Sequence, residues 1–176
     1  MWLTDAQLGM ELLPLRPGTA HFRAALRLYE RIHGEGAAST EARFRRHGRD
    51  DSYRGRVAVD DRGSVVGLAY GRDSKPGGRY HRLLRDALSE PASSEWLADA
   101  FELVELAVAP AARRRGVATT LIETVLDGTD RRVAVLTAKR HDECARGFYD
   151  ATGWTSLHES FAVGGVEMAI LGLDLS

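Results

Sequence analysis

The chain has 176 residues, of which 44% are apolar and 28% charged, and its formal net charge is -1. That length and balance suit one soluble domain with a full-sized core, expected over residues 1–176. The near-zero charge excludes a global basic field of the kind that drives nucleic-acid binding, so no nucleic-acid partner is expected.

Cys144 is the single cysteine, which rules out an intrachain disulfide and suits a reducing, cytoplasmic setting. Met1–Asp5 lacks a basic region followed by an apolar stretch, so no secretory signal is expected there. No apolar run approaches the roughly 20 residues that span a bilayer, and no membrane partner is expected.

In chain order, Glu11–Leu15 reads as a first strand, with Pro14 suited to an edge. Thr19 then caps a helix that carries Phe22, Ala25, Leu26, Tyr29 and Ile32 at helical spacing, and Gly34 ends it. Ser39-Thr40-Glu41 opens a second helix toward His47. Arg56–Val59 and Val65–Tyr70 form a hairpin across Asp60-Asp61-Arg62-Gly63. Lys75-Pro76-Gly77-Gly78 breaks regular structure. A helical insert from Gly77 to Ala100 follows, with Ser93 or Ser94 as the cap of its second helix.

Phe101–Val108 is the next strand, and Pro110 bars its extension. Gly116–Leu126 is a helix with an apolar stripe of Val117, Leu121, Ile122, Val125 and Leu126, stopped by Gly128. Val133–Thr137 is a strand. Asp142 caps a helix bearing Ala145, Phe148 and Tyr149, which Gly153 ends. Ser156–Phe161 and Val166–Leu173 close the chain across Gly164-Gly165. The order is β-α-α-β-β-(helical insert)-β-α-β-α-β-β, an α/β fold with one central mixed sheet flanked by helices.

The strand, turn and helix over Phe101–Leu126 carry the clearest chemical signal. A helix start offers unpaired N–H groups and the positive end of the dipole, which together suit an anion. Gly116 lets a phosphate approach the backbone closely. Thr119 and Thr120 add hydroxyls on the first turn, and Arg113, Arg114 and Arg115 add positive charge. A capped β-α junction with solvated arginines is the other reading of the same residues.

The stretch Leu106-Ala107-Val108-Ala109-Pro110-Ala111-Ala112-Arg113-Arg114-Arg115-Gly116-Val117-Ala118 resembles motif A of the GNAT N-acetyltransferase superfamily, V-x-P-x-x-(Q/R)-x-x-G-x-(G/A). Asp142-x-x-Ala145-x-x-Phe148-Tyr149-x-x-x-Gly153-Trp154 is similar to a second family segment at the family's spacing. The resemblance implies a GNAT-type domain, acetyl-CoA as co-substrate without a metal, and a primary amine as acceptor, on a small molecule, protein or peptide. It implies that the backbone of Leu106, Ala107 and Val108 pairs with the pantetheine arm, where two parallel strands splay apart. Arg113, Arg114, Arg115, Gly116, Val117, Ala118 and Thr119 would cradle the pyrophosphate. Asp142 stands where the family has Asn near the cofactor. An ionised carboxylate accepts but does not donate, so capping of its helix is its other role.

Aminolysis of a thioester needs a neutral amine, a stabilised oxyanion and a protonated leaving thiolate. Tyr149 is the expected general acid by its motif position, with a core tyrosine as the alternative. Glu102 and Glu105 lie on the strand entering motif A, on opposite faces if the strand alternates strictly. Glu102 resembles the base of the family's histone acetyltransferases in its place. Glu105 is the alternative base, and a solvated carboxylate is the other reading of either. Thr137 occupies the position where some ribosomal-protein acetyltransferases of the family carry their base, and it cannot act as one. Cys144 is expected to be buried. His33, His47, His81 and His158 are expected at the surface, with His81 a candidate for substrate contact. None has a metal-like partner at short spacing.

The expected function is transfer of an acetyl group from acetyl-CoA to a primary amine. A non-catalytic CoA-binding regulatory domain and an interaction module without ligand are the rivals on the same fold. A homodimer is one assembly open to the chain.

Overall fold

The computed structural model describes residues 9–34 and 36–176, so Met1–Asp5 lie outside the described residues. The chain divides into two compact units. One joins the residues up to Arg72 with Val104–Gly128; the other joins Asp73–Leu103 with Thr129–Ser176.

The first unit begins with β1 (Met10–Pro14), paired antiparallel with β2 (Arg54–Asp60). Between them lie α1 (Ala20–His33) and α2 (Ala37–His47). Thr19 caps α1 by accepting the Phe22 N–H at 3.1 Å, and Gly34 ends it in the left-handed conformation at φ 66°. The expected start of α2 at Ser39 is corrected to Ala37, with Gly36 as its cap. Ser39 gives its hydroxyl to the Gly36 carbonyl at 3.0 Å, so it bonds backwards instead of capping. The turn at Asp60–Gly63 is closed by Asp60, whose backbone bonds Ser64 and whose carboxylate accepts the Arg62 and Ser64 N–H groups. β2 then pairs antiparallel with β3 (Val65–Asp73).

The core of this unit sets α1 against the sheet through Phe22, Ala25, Leu26 and Tyr29, with Phe44, Val57, Leu68 and Tyr70 around them. Each such fully buried large side chain contributes about 1.5–3 kcal/mol. Gly67 of β3 faces α5 (Val117–Leu126). A Cβ at Gly67 would stand 2.9 Å from Leu121 Cδ1 and 3.1 Å from Val117 Cγ1. The missing side chain therefore lets α5 close on the strand.

The second unit holds α3 (Arg79–Ala87), α4 (Glu90–Leu97), β5 (Val133–Lys139), α6 (Glu143–Ala151), β6 (Thr155–Val163) and β7 (Val166–Asp174). The helical insert belongs to its core: Leu84, Leu88 and Leu97 pack with Ala100, Val135 and Ile170. The cap of α4 is Ser89, not Ser93 or Ser94, because Pro91 sits in the first turn, where its missing N–H costs nothing. β6 and β7 join through Gly164 and Gly165 at φ 57° and 83°, the sign that a two-residue hairpin turn requires.

β4 (Ala100–Val108) runs through both units, changing between Leu103 and Val104. Its parallel ladder with β5 comprises Ala100↔Val133, Phe101↔Ala134 and Glu102↔Val135. β5 also pairs antiparallel with β7 along its whole length. The seven strands form one mixed sheet in the order β1-β2-β3-β4-β5-β7-β6, and β1, with its Pro14, is an edge.

Candidate active site

The turn after β4 is built in steps. Ala109 donates its N–H to the Val66 carbonyl at 2.8 Å, and Pro110–Ala112 make one 3-10 turn. Arg113 folds back to donate Nε to the Val108 carbonyl at 3.1 Å. Arg114 adopts φ 60° and Gly116 φ 82°. A left-handed non-glycine residue is uncommon, and strain of about 1 kcal/mol is held by the surrounding turn. Gly116 is the N-cap of α5 and gives it no side-chain cap. The first-turn N–H groups therefore keep their capacity for an anion, beside a dipole equal to about half a positive charge. Arg113, Arg114 and Arg115 are exposed around this start, and Val117 is buried beneath it. Thr120 gives its hydroxyl to the Gly116 carbonyl at 3.1 Å, which spends the proton expected to serve a ligand. Thr119 stays half-buried on the same turn. The residues thus fit a pyrophosphate: uncapped donors, a glycine at the close approach, and three cations.

The two carboxylates of β4 fall in different units, and neither is a solvated strand-face group. Glu105, with Leu106–Val108, belongs to the first unit. Its Oε1 lies 3.2 Å from Arg43 of α2, whose guanidinium also donates to the Tyr29 hydroxyl at 3.2 Å. Burial first, and then the Glu105 charge, push the Tyr29 phenol well above its usual range, and Tyr70 moves the same way for the same reasons.

Glu102 belongs to the second unit and is 2% exposed. Its Oε1 accepts the Ser74 hydroxyl at 2.8 Å, and Ser74 Oγ lies 3.0 Å from His81 Nδ1. The surface expectation fails for His81 and His47, which are 9% and 7% exposed. His47 packs by its ring against Tyr70, its Nδ1 3.1 Å from the Tyr70 hydroxyl. Burial, then the charges of Arg72, Arg46 and Arg43, lower its pKa to about 4. Burial and the Arg85 charge also lower that of His81.

In α6, Asp142 is exposed and its carboxylate accepts the Ala145 N–H at 3.0 Å, which makes it the helix cap. Tyr149 is buried, its ring edge-on to Phe148 at 5.2 Å and to Trp154 at 5.7 Å. Cys144, expected to be buried, is exposed. It lies five residues before Tyr149, about 140° around the helix, and so points away from the face that Tyr149 buries. Thr137 accepts the Tyr80 hydroxyl at 3.1 Å. Among the described residues, no group of three or more His, Cys, Asp or Glu side chains is placed to hold a metal ion.

Sequence patterns did not point to Ser74, Arg43, Tyr29 or Tyr70 as partners of these groups. Ser74 stands just before the Lys75-Pro76-Gly77-Gly78 breaker, and no pattern singles it out. Arg43, Tyr29 and Tyr70 have an ordinary helical or strand spacing, and nothing in a linear pattern joins them to Glu105.

Comparison with known proteins gives the fold a relative. A family model described as an acetyltransferase (GNAT) domain matches residues 77–171. No curated protein matches the chain. Among solved structures, an acetyltransferase assigned to the GNAT family from Desulfovibrio desulfuricans has 17% identity and a TM-score of 0.65, covering 95% of this chain and 99% of that one. The ribosomal-protein-S18-alanine N-acetyltransferase of Escherichia coli has 16% identity and a TM-score of 0.66, covering 95% and 94%. The spermidine/spermine N-acetyltransferase of Vibrio cholerae, solved in complex with manganese ions, has 17% identity and a TM-score of 0.57, covering 94% and 92%.

Proposed function

The chain belongs to the GNAT acetyltransferase family, and we propose that it transfers the acetyl group of acetyl-CoA to a primary amine by direct attack. In this proposal both compact units belong to one N-acetyltransferase domain. The observation that carries it is the uncapped start of α5 behind Gly116 at φ 82°, ringed by three exposed arginines. Arg113–Thr119 would hold the pyrophosphate, and the backbone of Leu106–Val108 the pantetheine arm. The co-substrate supplies an activated acyl thioester. Asp142 contributes by capping the helix that carries Tyr149, since its carboxylate offers a phosphate no donor.

An alkyl amine with a pKa near that of lysine, about 10.4, is almost wholly protonated at pH 7, so a base must free it before it attacks. Of the two β4 carboxylates, Glu102, sealed within a hydrogen-bonded group, is the one proposed to drive this deprotonation, directly or through a group it is bonded to, and Glu105, held by Arg43, is the less suited one. Tyr149, on α6, is the proposed acid for the departing thiolate. The acceptor proposed is an amine on a small molecule, protein or peptide. The structural relatives named for spermidine and spermine and for a ribosomal-protein alanine support both classes. The reducing cytoplasm is the proposed setting, which suits the exposed, unbridged thiol of Cys144.

Calorimetric titration with CoA, followed by turnover of acetyl-CoA with a panel of amines, tests this. Binding with turnover of at least one amine is the expected result. Binding without any turnover would leave a CoA-binding regulatory domain, and absence of binding would leave an interaction module.

A further inference from the structure

Three polar side chains of the second unit, from three elements, form one hydrogen-bonded chain. Ser74, in the loop after β3, lies 2.8 Å from Glu102 Oε1 and 3.0 Å from His81 Nδ1 on α3. Its backbone N–H is tied to the Ala100 carbonyl at 2.8 Å, which fixes the serine beside β4. Glu102 and His81 are both buried, at 2% and 9% exposure. Burying such groups is costly unless they are hydrogen-bonded, and the serine joins them.

The proton positions follow from valence. A serine hydroxyl has one proton, and an ionised carboxylate only accepts, so that proton goes to Glu102. The Ser74 oxygen must then accept from His81 Nδ1–H. The chain thereby selects one tautomer of His81 and leaves the lone pair on Nε2. Glu102 is almost sealed from solvent with Oε1 engaged, so it is poorly placed to meet an amine itself.

We propose that His81, through Nε2, takes the proton from the acceptor amine, and that Ser74 and Glu102 are positioning residues that orient it and stabilise its cation. The proposal rests on the acetyl-transfer function above and specifies its base. The ammonium N–H bond breaks and its proton passes to Nε2. The amine nitrogen keeps the electron pair, which forms the C–N bond as the C–S bond breaks. The thiolate takes its proton from Tyr149, the acylated nitrogen sheds its second proton as the amide forms, and that proton restores Tyr149 by way of solvent; His81 then returns its own proton to solvent. Burial and Arg85 on the same helix disfavour the imidazolium, so His81 is neutral at pH 7. The Glu102 carboxylate, one hydroxyl away, is the group that favours the cation as the proton arrives.

The test uses the whole chain with acetyl-CoA, taking a simple alkyl amine, spermidine and an alanine-terminated peptide as acceptors. His81→Ala should lower turnover about 100- to 1000-fold, and free imidazole should restore about tenfold or more of it. Ser74→Ala and Glu102→Gln should each lower kcat about tenfold and move the acid limb of the kcat/KM profile to lower pH, because the imidazolium loses its carboxylate. An active wild type whose His81→Ala variant keeps its rate, or loses it without rescue by imidazole, overturns the proposal while leaving acetyl transfer intact. A wild type that binds CoA but acetylates none of the acceptors overturns both. Independently of turnover, nitrogen-15 NMR should show the Nδ1–H tautomer of His81 and a lower titration point in Glu102→Gln. An unchanged titration would show that no chain links the two and would overturn the proposal.

Discussion

Arg43 holds Glu105 at 3.2 Å, so one of the two carboxylates of β4 is already matched by a guanidinium. The same guanidinium lies over the rings of Tyr29 and Phe44 at 5.5 and 5.7 Å. Removing the Glu105 charge leaves a cation among aromatic rings with its principal counter-charge gone. Glu105→Gln should lower stability by about 1–3 kcal/mol in urea unfolding, while turnover falls far less than in Glu102→Gln. A variant of unchanged stability and abolished turnover would show Glu105 to be the base.

Gly116→Asp should abolish CoA binding. The substitution sets a carboxylate where the pyrophosphate is proposed and forces a side chain onto φ 82°. Gly116→Ala carries only the conformational cost, about 1 kcal/mol, and should weaken binding less. Equal CoA affinity in wild type and Gly116→Asp, measured by calorimetry, would move the anion site away from this turn.

Tyr149→Phe keeps the edge-on packing with Phe148 and Trp154 and removes only the hydroxyl. Turnover should fall about 10- to 1000-fold with little change in CoA affinity, as expected for loss of a general acid. A fully active Phe variant would make Tyr149 a packing residue.

His47 gives stability a pH dependence. Its pKa is lowered from 6.5 to about 4 by burial and by Arg72, Arg46 and Arg43, with Asp50 opposing. The unfolded chain therefore binds more protons between those values, and stability falls as pH drops from 6.5 toward 4. The loss should reach roughly 2–3 kcal/mol near pH 4. Urea unfolding at pH 7 and pH 4.5 should show a smaller difference in His47→Gln than in wild type. An identical difference in both would remove His47 as the cause.

Much of this protein is local, and the local part was legible in the chain. Thr19 and Gly34 bound α1, Asp142 caps α6, and Gly164-Gly165 turn the last hairpin. Each of these depends on dihedral preference or a hydrogen bond within about four residues. The motif turn at Gly116 was legible for the same reason. What the sequence by itself could not determine is which polar groups meet across distance. Glu102 and Glu105 are three residues apart on one strand, yet one ends on Ser74 and the other on Arg43. Those partners lie 28 and 62 positions away, brought in by the loop after β3 and by α2. The placement of β7 between β5 and β6, and the leucines that the insert adds to the core, have the same origin. Burial and hydrogen-bond pairing are properties of the folded surface, and only the packed elements decide which side chains share one.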